Sequence, residues 1–155
     1  FHDFEAGIRQ AFQHAPQVLI EEFIVGKEAT CGVVDNLRNE LFYALPPVEI
    51  LPSGASFFDY DAKYGGASEE RCPGNFSQSE TNTLKNLALT AHNTLGLRHY
   101  SRSDFIVSPR GIYFLESNSL PELRNESSIV QSLQSVGVPV GDFFDHILKL
   151  ALYGR

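Results

Sequence analysis

Three oxygen-bearing side chains in the second half of the chain could together hold a divalent cation. Asp104 lies in one predicted strand, and Glu116 and Asn118 lie in the next strand, after the turn 108–111. Because alternate residues of a strand share a face, a hairpin can bring these three side chains together. Two carboxylates and an amide oxygen suit Mg²⁺, which binds a few protein oxygens along with substrate phosphates. The pattern predicts such a site, and the alternative is an ordinary solvated strand face.

Arg102 shares that predicted face, since it stands two residues before Asp104 on the same strand. Apolar runs at 105–107 and 112–115 flank the polar positions, so we expect them at the edge of a hydrophobic core. Spacing alone leaves Arg102 with a purely structural interpretation, an ion pair with Glu116.

Periodicity and helix-stop residues predict the elements that position this hairpin. A capping box at Ser77 and Glu80 begins a long helix that ends at Gly96. The predicted helices are 3–15, 77–95, 127–136 and a last one that begins between 139 and 142. The predicted strands are 18–24, 30–35, 40–44, 48–51, 100–107 and 112–116. This order is typical of an α+β domain with a mostly antiparallel sheet flanked by helices.

Residues 52–75 have a different composition from the segments around them. They combine glycine and proline with Ser, Asp, Tyr and Phe, which predicts a long loop. A loop of this length is usually functional or disordered, and its aromatic content argues for order.

Composition and charge exclude several classes of protein. The chain has 155 residues, 43% of them hydrophobic and 20% charged, which is typical of one globular domain. A net charge of −7 argues against a nucleic-acid partner. No apolar run approaches the roughly 20 residues that cross a bilayer. We expect a cytoplasmic protein with reduced thiols at Cys31 and Cys72, and surface positions for His92 and His99. The lack of Met suggests a fragment of a longer protein.

Several motifs together resemble those of D-alanine–D-alanine ligases, which belong to the ATP-grasp superfamily. The hairpin carries Arg-Ser-Asp-Phe at 102–105 and Phe-Leu-Glu-Ser-Asn-Ser-Leu-Pro at 114–121. Residues 18–28 resemble the family's strand and turn beside the adenine and ribose. Phe-Phe-Asp-Tyr-Asp-Ala-Lys-Tyr at 57–64 is similar to its Phe-Tyr-Asp-Tyr-x-x-Lys-Tyr loop, and Cys-Pro at 72–73 before a capped helix also matches. The motifs stand in the family's order and cover essentially the whole chain.

The resemblance implies an ATP site and two Mg²⁺ ions, for which Mn²⁺ could substitute. Asp104, Glu116 and Asn118 would hold the ions that bridge the ATP phosphates. The implied nucleotide contacts are Glu21 and the backbone of Glu22 and Ile24 at the adenine edge, Phe57 and Leu115 on its two faces, Glu28 at the ribose, and Lys63 at the phosphates.

The resemblance also implies how the reaction would proceed. ATP would phosphorylate the carboxylate of one D-alanine, and the amine of a second D-alanine would attack the acyl phosphate, for peptidoglycan precursor synthesis. Arg102 would stabilise the oxyanion, Ser127 would bind the carboxylate of the second substrate at a helix N-terminus, and Tyr64 would help to close a lid. A homodimer of the full-length protein is compatible with the resemblance.

Domain organisation follows from the same resemblance. Residues 1–16 would be the tail end of the central ATP-grasp subdomain and residues 17–155 the C-terminal ATP-grasp subdomain. The N-terminal domain and most of the central one would be absent. We expect this piece alone to fold, to lack catalysis and to bind ATP weakly.

Two departures from the family's motif concern the second substrate. Glu-Leu-Arg at 122–124 stands where the family usually has Gly-Met-Thr, and Asn125 and Glu126 stand where Ser or Asp and His are common. Acceptor choice is therefore open between D-alanine and another D-amino or D-hydroxy acid. The alternatives to a D-alanine ligase are a related ATP-grasp ligase with a different acceptor and a non-catalytic nucleotide-binding remnant.

Overall fold

The computed structural model describes residues 2–52 and 68–153, which form one sheet with helices on both faces. The strands are β1 (Lys27–Asp35), β2 (Phe42–Ala44), β3 (Val48–Pro52), β4 (Ser68–Arg71), β5 (Tyr100–Ser108) and β6 (Gly111–Asn118). The helices are α1 (His2–Phe12), α2 (Gln78–Thr94), α3 (Ser128–Ser135) and α4 (Val140–Tyr153), and Leu37–Asn39 form a short 3-10 turn. None of these helices is long and apolar enough to cross a membrane.

The sheet is antiparallel throughout its described pairs. Its strand order is β4-β3-β1-β5-β6, and β2 pairs with the end of β1. The longest ladders join the central strand β1 to β5 and β5 to β6. The predicted α+β class with a mostly antiparallel sheet is therefore confirmed.

Strand alternation divides the core into two layers, one on each face of the sheet. The first face packs on α2, and its buried cluster contains Ala29, Cys31, Val33, Ala44, Leu84, Ala88, Phe105 and Val107. The second face packs on α3 and α4, and its buried cluster contains Val34, Leu45, Tyr100, Ile129, Val130, Leu133 and Phe143. The second cluster lies at the end of β1 and the start of β5, so α3 and α4 cover that part of the second face.

Helix α2 begins as its sequence predicts. The Glu80 amide donates to Ser77 Oγ at 3.2 Å, and the Ser77 amide donates to Glu80 Oε2 at 2.7 Å. Hydrogen bonding of the Glu80 carboxylate to the Ser77 hydroxyl and to the Ser77 amide lowers the pKa of Glu80. Gly96 follows the helix with φ +62°, a conformation that favours glycine.

The predicted strand 18–24 is wrong. Residues 18–25 are extended, but within the described ranges no strand pairs with them. Their β-branched and aromatic composition suggested burial, yet Leu19, Phe23 and Val25 are 80%, 73% and 75% exposed. The strand that follows instead starts at Lys27 and is longer than predicted.

Strand β4 lies in the segment predicted as a loop. Its sequence is Ser-Glu-Glu-Arg, which has no apolar alternation, and it becomes a strand because it pairs with β3. Residues 53–67 of the predicted loop, with Phe57, Lys63 and Tyr64, lie outside the described residues.

Both cysteines are free thiols, as predicted. Cys31 is buried in the sheet, and burial raises the pKa of its thiol to about 12, so it stays protonated at neutral pH.

The prediction of a surface position is wrong for His92, which is fully buried. Its Nε2 lies 2.8 Å from Asp35 Oδ1, and its Nδ1 lies 2.7 Å from Ser101 Oγ. His99 is partly buried and approaches the same carboxylate at 3.4 Å. Leu84, Ala88 and His92 stand four residues apart on the inner side of α2, and this spacing is the signal that predicts burial. A histidine hydrogen-bonded at both nitrogens can be buried without an unsatisfied group.

Candidate active site

The β5–β6 hairpin brings the predicted cation-binding residues onto one surface. Asp104 lies directly opposite Glu116, and Arg102 lies directly opposite Asn118. Directly opposed residues have Cβ atoms only about 4.5–5.5 Å apart. Thr30 on β1 pairs with Asp104 on its other side. These five residues lie on the second face of the sheet, next to the part of that face that α3 and α4 cover. We call them the open half of that face.

A β-bulge separates this polar surface from the apolar part of the hairpin. The register passes from Asp104–Glu116 to Phe105–Phe114, so Leu115 is an extra residue in β6. Phe114 stays on the α2 face, where its ring centroid lies 5.8 Å from that of Phe105. Leu115 is 49% exposed. The bulge therefore presents the predicted adenine-contacting residue at the surface, immediately before Glu116.

Arg102 is held by Asp104 and not by Glu116. Its Nε donates to Asp104 Oδ1 at 3.0 Å and its Nη2 donates to Oδ2 at 2.9 Å. Thr30 Oγ1 also donates to Asp104 Oδ1, at 2.7 Å. The structural interpretation in which Arg102 pairs with Glu116 is therefore wrong. The paired carboxylate fixes the guanidinium at the centre of the open half, where it could meet a developing negative charge.

The oxygen donors of the open half fit Mg²⁺ chemically. Asp104 and Glu116 supply opposed carboxylates, each with about four lone-pair positions, so the bonds to Arg102 and Thr30 do not exhaust Asp104. Asn118 adds an amide oxygen, which also accepts a 3.4 Å hydrogen bond from the Leu120 amide. In the part of the chain that the structure describes, no three His, Cys, Asp or Glu side chains form a metal cluster. Such a small oxygen set suits an ion that keeps waters and substrate phosphates as its other ligands.

Glu70 on β4 is a charged neighbour of this surface that the sequence interpretation missed. Gln131 of α3 donates from Nε2 to Glu70 Oε2 at 3.1 Å. Burial raises the pKa of the Glu70 carboxyl, the charges of Arg102 and Arg124 lower it in part, and the charge of Asp104 raises it further. It escaped detection because the strand that carries it was taken for a loop.

The residues predicted at the adenine edge lie on the extended segment before β1. Glu21 is exposed, Ile24 is half-buried, and Glu22 forms a 2.7 Å ion pair with Arg110 in the hairpin turn. Glu28 is half-buried at the start of β1, opposite Ile106. The structure thus joins the middle of this segment to the hairpin turn through Glu22, but the segment is not a strand of the described sheet.

This arrangement can be compared with known protein families. The family model described as "D-ala D-ala ligase C-terminus" matches residues 1–149. The chain belongs to this family. The predicted resemblance is thereby confirmed, including the C-terminal ATP-grasp fold.

Curated members of the D-Ala–D-Ala ligase family are considerably longer than this chain. The D-alanine–D-alanine ligase of Oleidesulfovibrio alaskensis is 39% identical over 145 residues, which are 92% of this chain and 45% of that protein. The ligase of Desulfotalea psychrophila is 39% identical over 151 residues, which are 95% and 46% of the two chains. The chain therefore spans less than half the length of these relatives.

Solved structures of the family have the same fold. The VanG D-Ala:D-Ser ligase of Enterococcus faecalis matches with a TM-score of 0.81 and 28% identity, over 97% of this chain and 43% of that one. The D-alanine–D-alanine ligase of Bacillus anthracis complexed with ATP matches with a TM-score of 0.78 and 25% identity, over 98% and 48% of the two chains.

The residues that depart from the D-Ala–D-Ala ligase motif lie between β6 and α3. Glu122 and Arg124 form an ion pair. Ser127 precedes α3, and its hydroxyl donates to the Arg124 carbonyl at 2.8 Å and does not cap the helix amides. These contacts join the departing residues to Ser127, the residue predicted to hold the second substrate.

Proposed function

We propose that the chain is part of an ATP-dependent ligase that joins two D-alanines for peptidoglycan precursors. Residues 1–16 would be the tail end of the central ATP-grasp subdomain and residues 17–155 the C-terminal subdomain. The observation that carries the proposal is the hairpin register. It sets Asp104 opposite Glu116 and Arg102 opposite Asn118 on the open half of a sheet whose fold is that of the family.

The open half would act on the phosphate end of ATP. Asp104, Glu116 and Asn118 would hold two Mg²⁺ ions, which Mn²⁺ can replace. When bound, the ions would neutralise phosphate charge. Arg102 would stabilise the oxyanion of the acyl-transfer step. Its bidentate bond to Asp104 engages only part of its five N–H donors and orients the guanidinium, and such preorganisation is what electrostatic catalysis requires.

The extended segment would bind the other end of the nucleotide. Glu21 and the backbone of Glu22 and Ile24 would meet the adenine edge, Glu28 the ribose, and Leu115 one face of the ring. Phe57 and Lys63 would complete the site from the loop. The exposure of apolar residues around Glu21 and Glu22 supports a role in covering a ligand or another domain.

Ser127 and Tyr64 would position the acceptor, and the acceptor itself has two candidates. D-Alanine follows from the curated relatives that share the family. The Glu122–Arg124 ion pair beside Ser127 favours a different acceptor, and one structural neighbour is a D-Ala:D-Ser ligase. We propose that the protein is cytoplasmic and acts on small molecules. Its net charge of −7 does not suit a nucleic-acid partner. We also propose that the full-length protein is a homodimer.

Phosphate release by the full-length protein tests the proposal. The protein is incubated with Mg²⁺, ATP and, in separate reactions, D-alanine, D-serine and D-lactate. We expect release that depends on D-alanine, and comparison of the acceptors separates the two candidates. If no D-amino or D-hydroxy acid gave phosphate release, the ligase proposal would be rejected and the nucleotide-binding remnant favoured.

A further inference from the structure

Two serines lie directly behind the open half, on the face of the sheet that packs against α2. Ser103 stands between Arg102 and Asp104, and Ser117 stands between Glu116 and Asn118. The two serines are paired in the ladder, and their Oγ atoms lie 2.7 Å apart. Ser103 is fully buried. The hydrogen bond thus joins β5 to β6 at the same level as the four polar residues, but from the other side.

The position of this bond matters because of the neighbouring bulge. The Ser103–Ser117 pair adjoins the Asp104–Glu116 pair, and the extra residue Leu115 comes next. A one-residue change of register moves every following side chain of a strand to the other face. Here such a change would turn Glu116 and Asn118 toward the α2 core.

The surroundings of the two serines make their pairing selective. Ser103 is opposed on its other side by Cys31 of β1, and the next inward residue of β5 is Phe105, both buried in the α2 cluster. A one-residue shift would set Glu116 or Asn118 opposite Ser103 and would bury that larger polar side chain in the apolar layer. Burying a carboxylate or amide there is costly, whereas the native pair places two small hydroxyls that satisfy each other.

We propose that Ser103 and Ser117 are positioning residues that select the register in which Asp104 faces Glu116 and Arg102 faces Asn118. The inference rests on the proposed function only for the identity of what those residues bind. The serines touch no substrate, and they act through the backbone of the residues on either side of them.

The test compares the full-length wild type with Ser103→Ala/Ser117→Ala and Ser117→Thr. Hydrogen exchange of β6 amides is measured on the metal-free protein. Mn²⁺ affinity is measured by electron paramagnetic resonance with a non-hydrolysable ATP analogue. In the double alanine variant we expect faster exchange confined to β5 and β6 and about tenfold weaker Mn²⁺ binding, the lower range for partners that orient metal ligands. Ser117→Thr keeps a hydroxyl and should retain wild-type values.

Ser132→Ala is the matched control, since it removes a buried hydroxyl that donates to the Pro46 carbonyl away from the hairpin. It should leave β6 exchange and Mn²⁺ affinity unchanged. Unchanged exchange in the double variant would overturn the inference, as would acceleration spread equally over β1 and β3. If the wild type bound no Mn²⁺ nucleotide, the proposed function would fail, while the exchange measurement would still decide the role of the serines.

Discussion

The β5–β6 hairpin and the extended segment 18–25 carry the two ends of the same proposed nucleotide site, yet they are held very differently. The hairpin is paired along its length and backed by α2, and bonds of 2.7–3.0 Å within the sheet fix Arg102 and Asp104. The segment has no strand partner in the described residues, and its attachment includes an exposed ion pair between Glu22 and Arg110. Exposed ion pairs contribute little stability.

This difference indicates what the chain determines by itself. The phosphate end depends on residues 12 to 16 positions apart in one hairpin, so local pairing is enough to assemble it. The adenine end displays large apolar side chains to solvent, which is typical of a surface that another part of the protein covers. We therefore expect variants in the hairpin and in the segment to respond differently.

The largest expected effect is on turnover when Glu116 becomes Gln. In the full-length protein, phosphate release should fall at least about 10³-fold, since a lost metal carboxylate removes transition-state charge stabilisation worth several kcal/mol. The fold should persist, because Glu116 is exposed and packs little. Glu69→Gln on exposed β4 is the control and should retain activity. Wild-type rates for Glu116→Gln at low Mg²⁺ would show that the metal assignment is wrong.

Removing the buried imidazole should weaken the support of the hairpin. His92→Ala leaves Asp35 and Ser101 without their shared partner and opens a cavity, so the free energy of unfolding should fall by about 3 kcal/mol. Urea denaturation of the 155-residue chain measures this change. His14→Ala, at an exposed histidine, should be neutral. Equal stabilities of the two variants would mean that the histidine does not support the hairpin.

The isolated chain should bind Mg-ATP more weakly than about 100 μM, even though it folds. In the proposed full-length protein, another part of the chain would contribute to the cleft, and loss of about three charge-assisted hydrogen bonds from it would lower affinity by several orders of magnitude. Calorimetric titration of the chain and of the full-length protein gives the comparison. Micromolar binding by the chain alone would show that the extended segment binds the nucleotide without another part of the protein covering it.

The smallest effect is expected from Arg110→Ala. The Glu22 carboxylate raises the pKa of Arg110, but both side chains are exposed, so solvent screens the pair. The KM of the full-length protein for ATP should change less than about twofold. A tenfold increase would mean that this ion pair positions the adenine segment.

The hairpin was predictable because its information is local. Strand alternation and a four-residue turn are enough to place Asp104 near Glu116 and Asn118, and the capping box at Ser77 places α2. The bulge at Leu115 was not predictable, since no residue in β6 marks it. Family resemblance, rather than spacing, favours a site over a solvated strand face.

The errors arose where neighbours distant in sequence determine local structure. The polar strand β4 forms because it pairs with β3, whereas the apolar segment 18–25 is not one of the strands of the described sheet. Arg102 pairs with Asp104 and not with Glu116. Arg102 and Asp104 lie two residues apart on the same face of β5, and Thr30 holds the Asp104 carboxylate in place. His92 lies on the inner stripe of α2, where helical spacing outweighs polarity.

The buried trio of Asp35, His92 and Ser101 has the residue types and distances of a hydrolytic triad. A search for catalytic serines by interatomic distance alone would select it. Ser101 is fully buried, however, so no scissile carbonyl can reach its oxygen, and the imidazole faces the serine through Nδ1 and the carboxylate through Nε2, the reverse of the serine-protease arrangement. At a surface, these three groups would activate a nucleophile. Here, where solvent and substrate are excluded, they form a buried hydrogen-bonded cluster that satisfies its own polar groups.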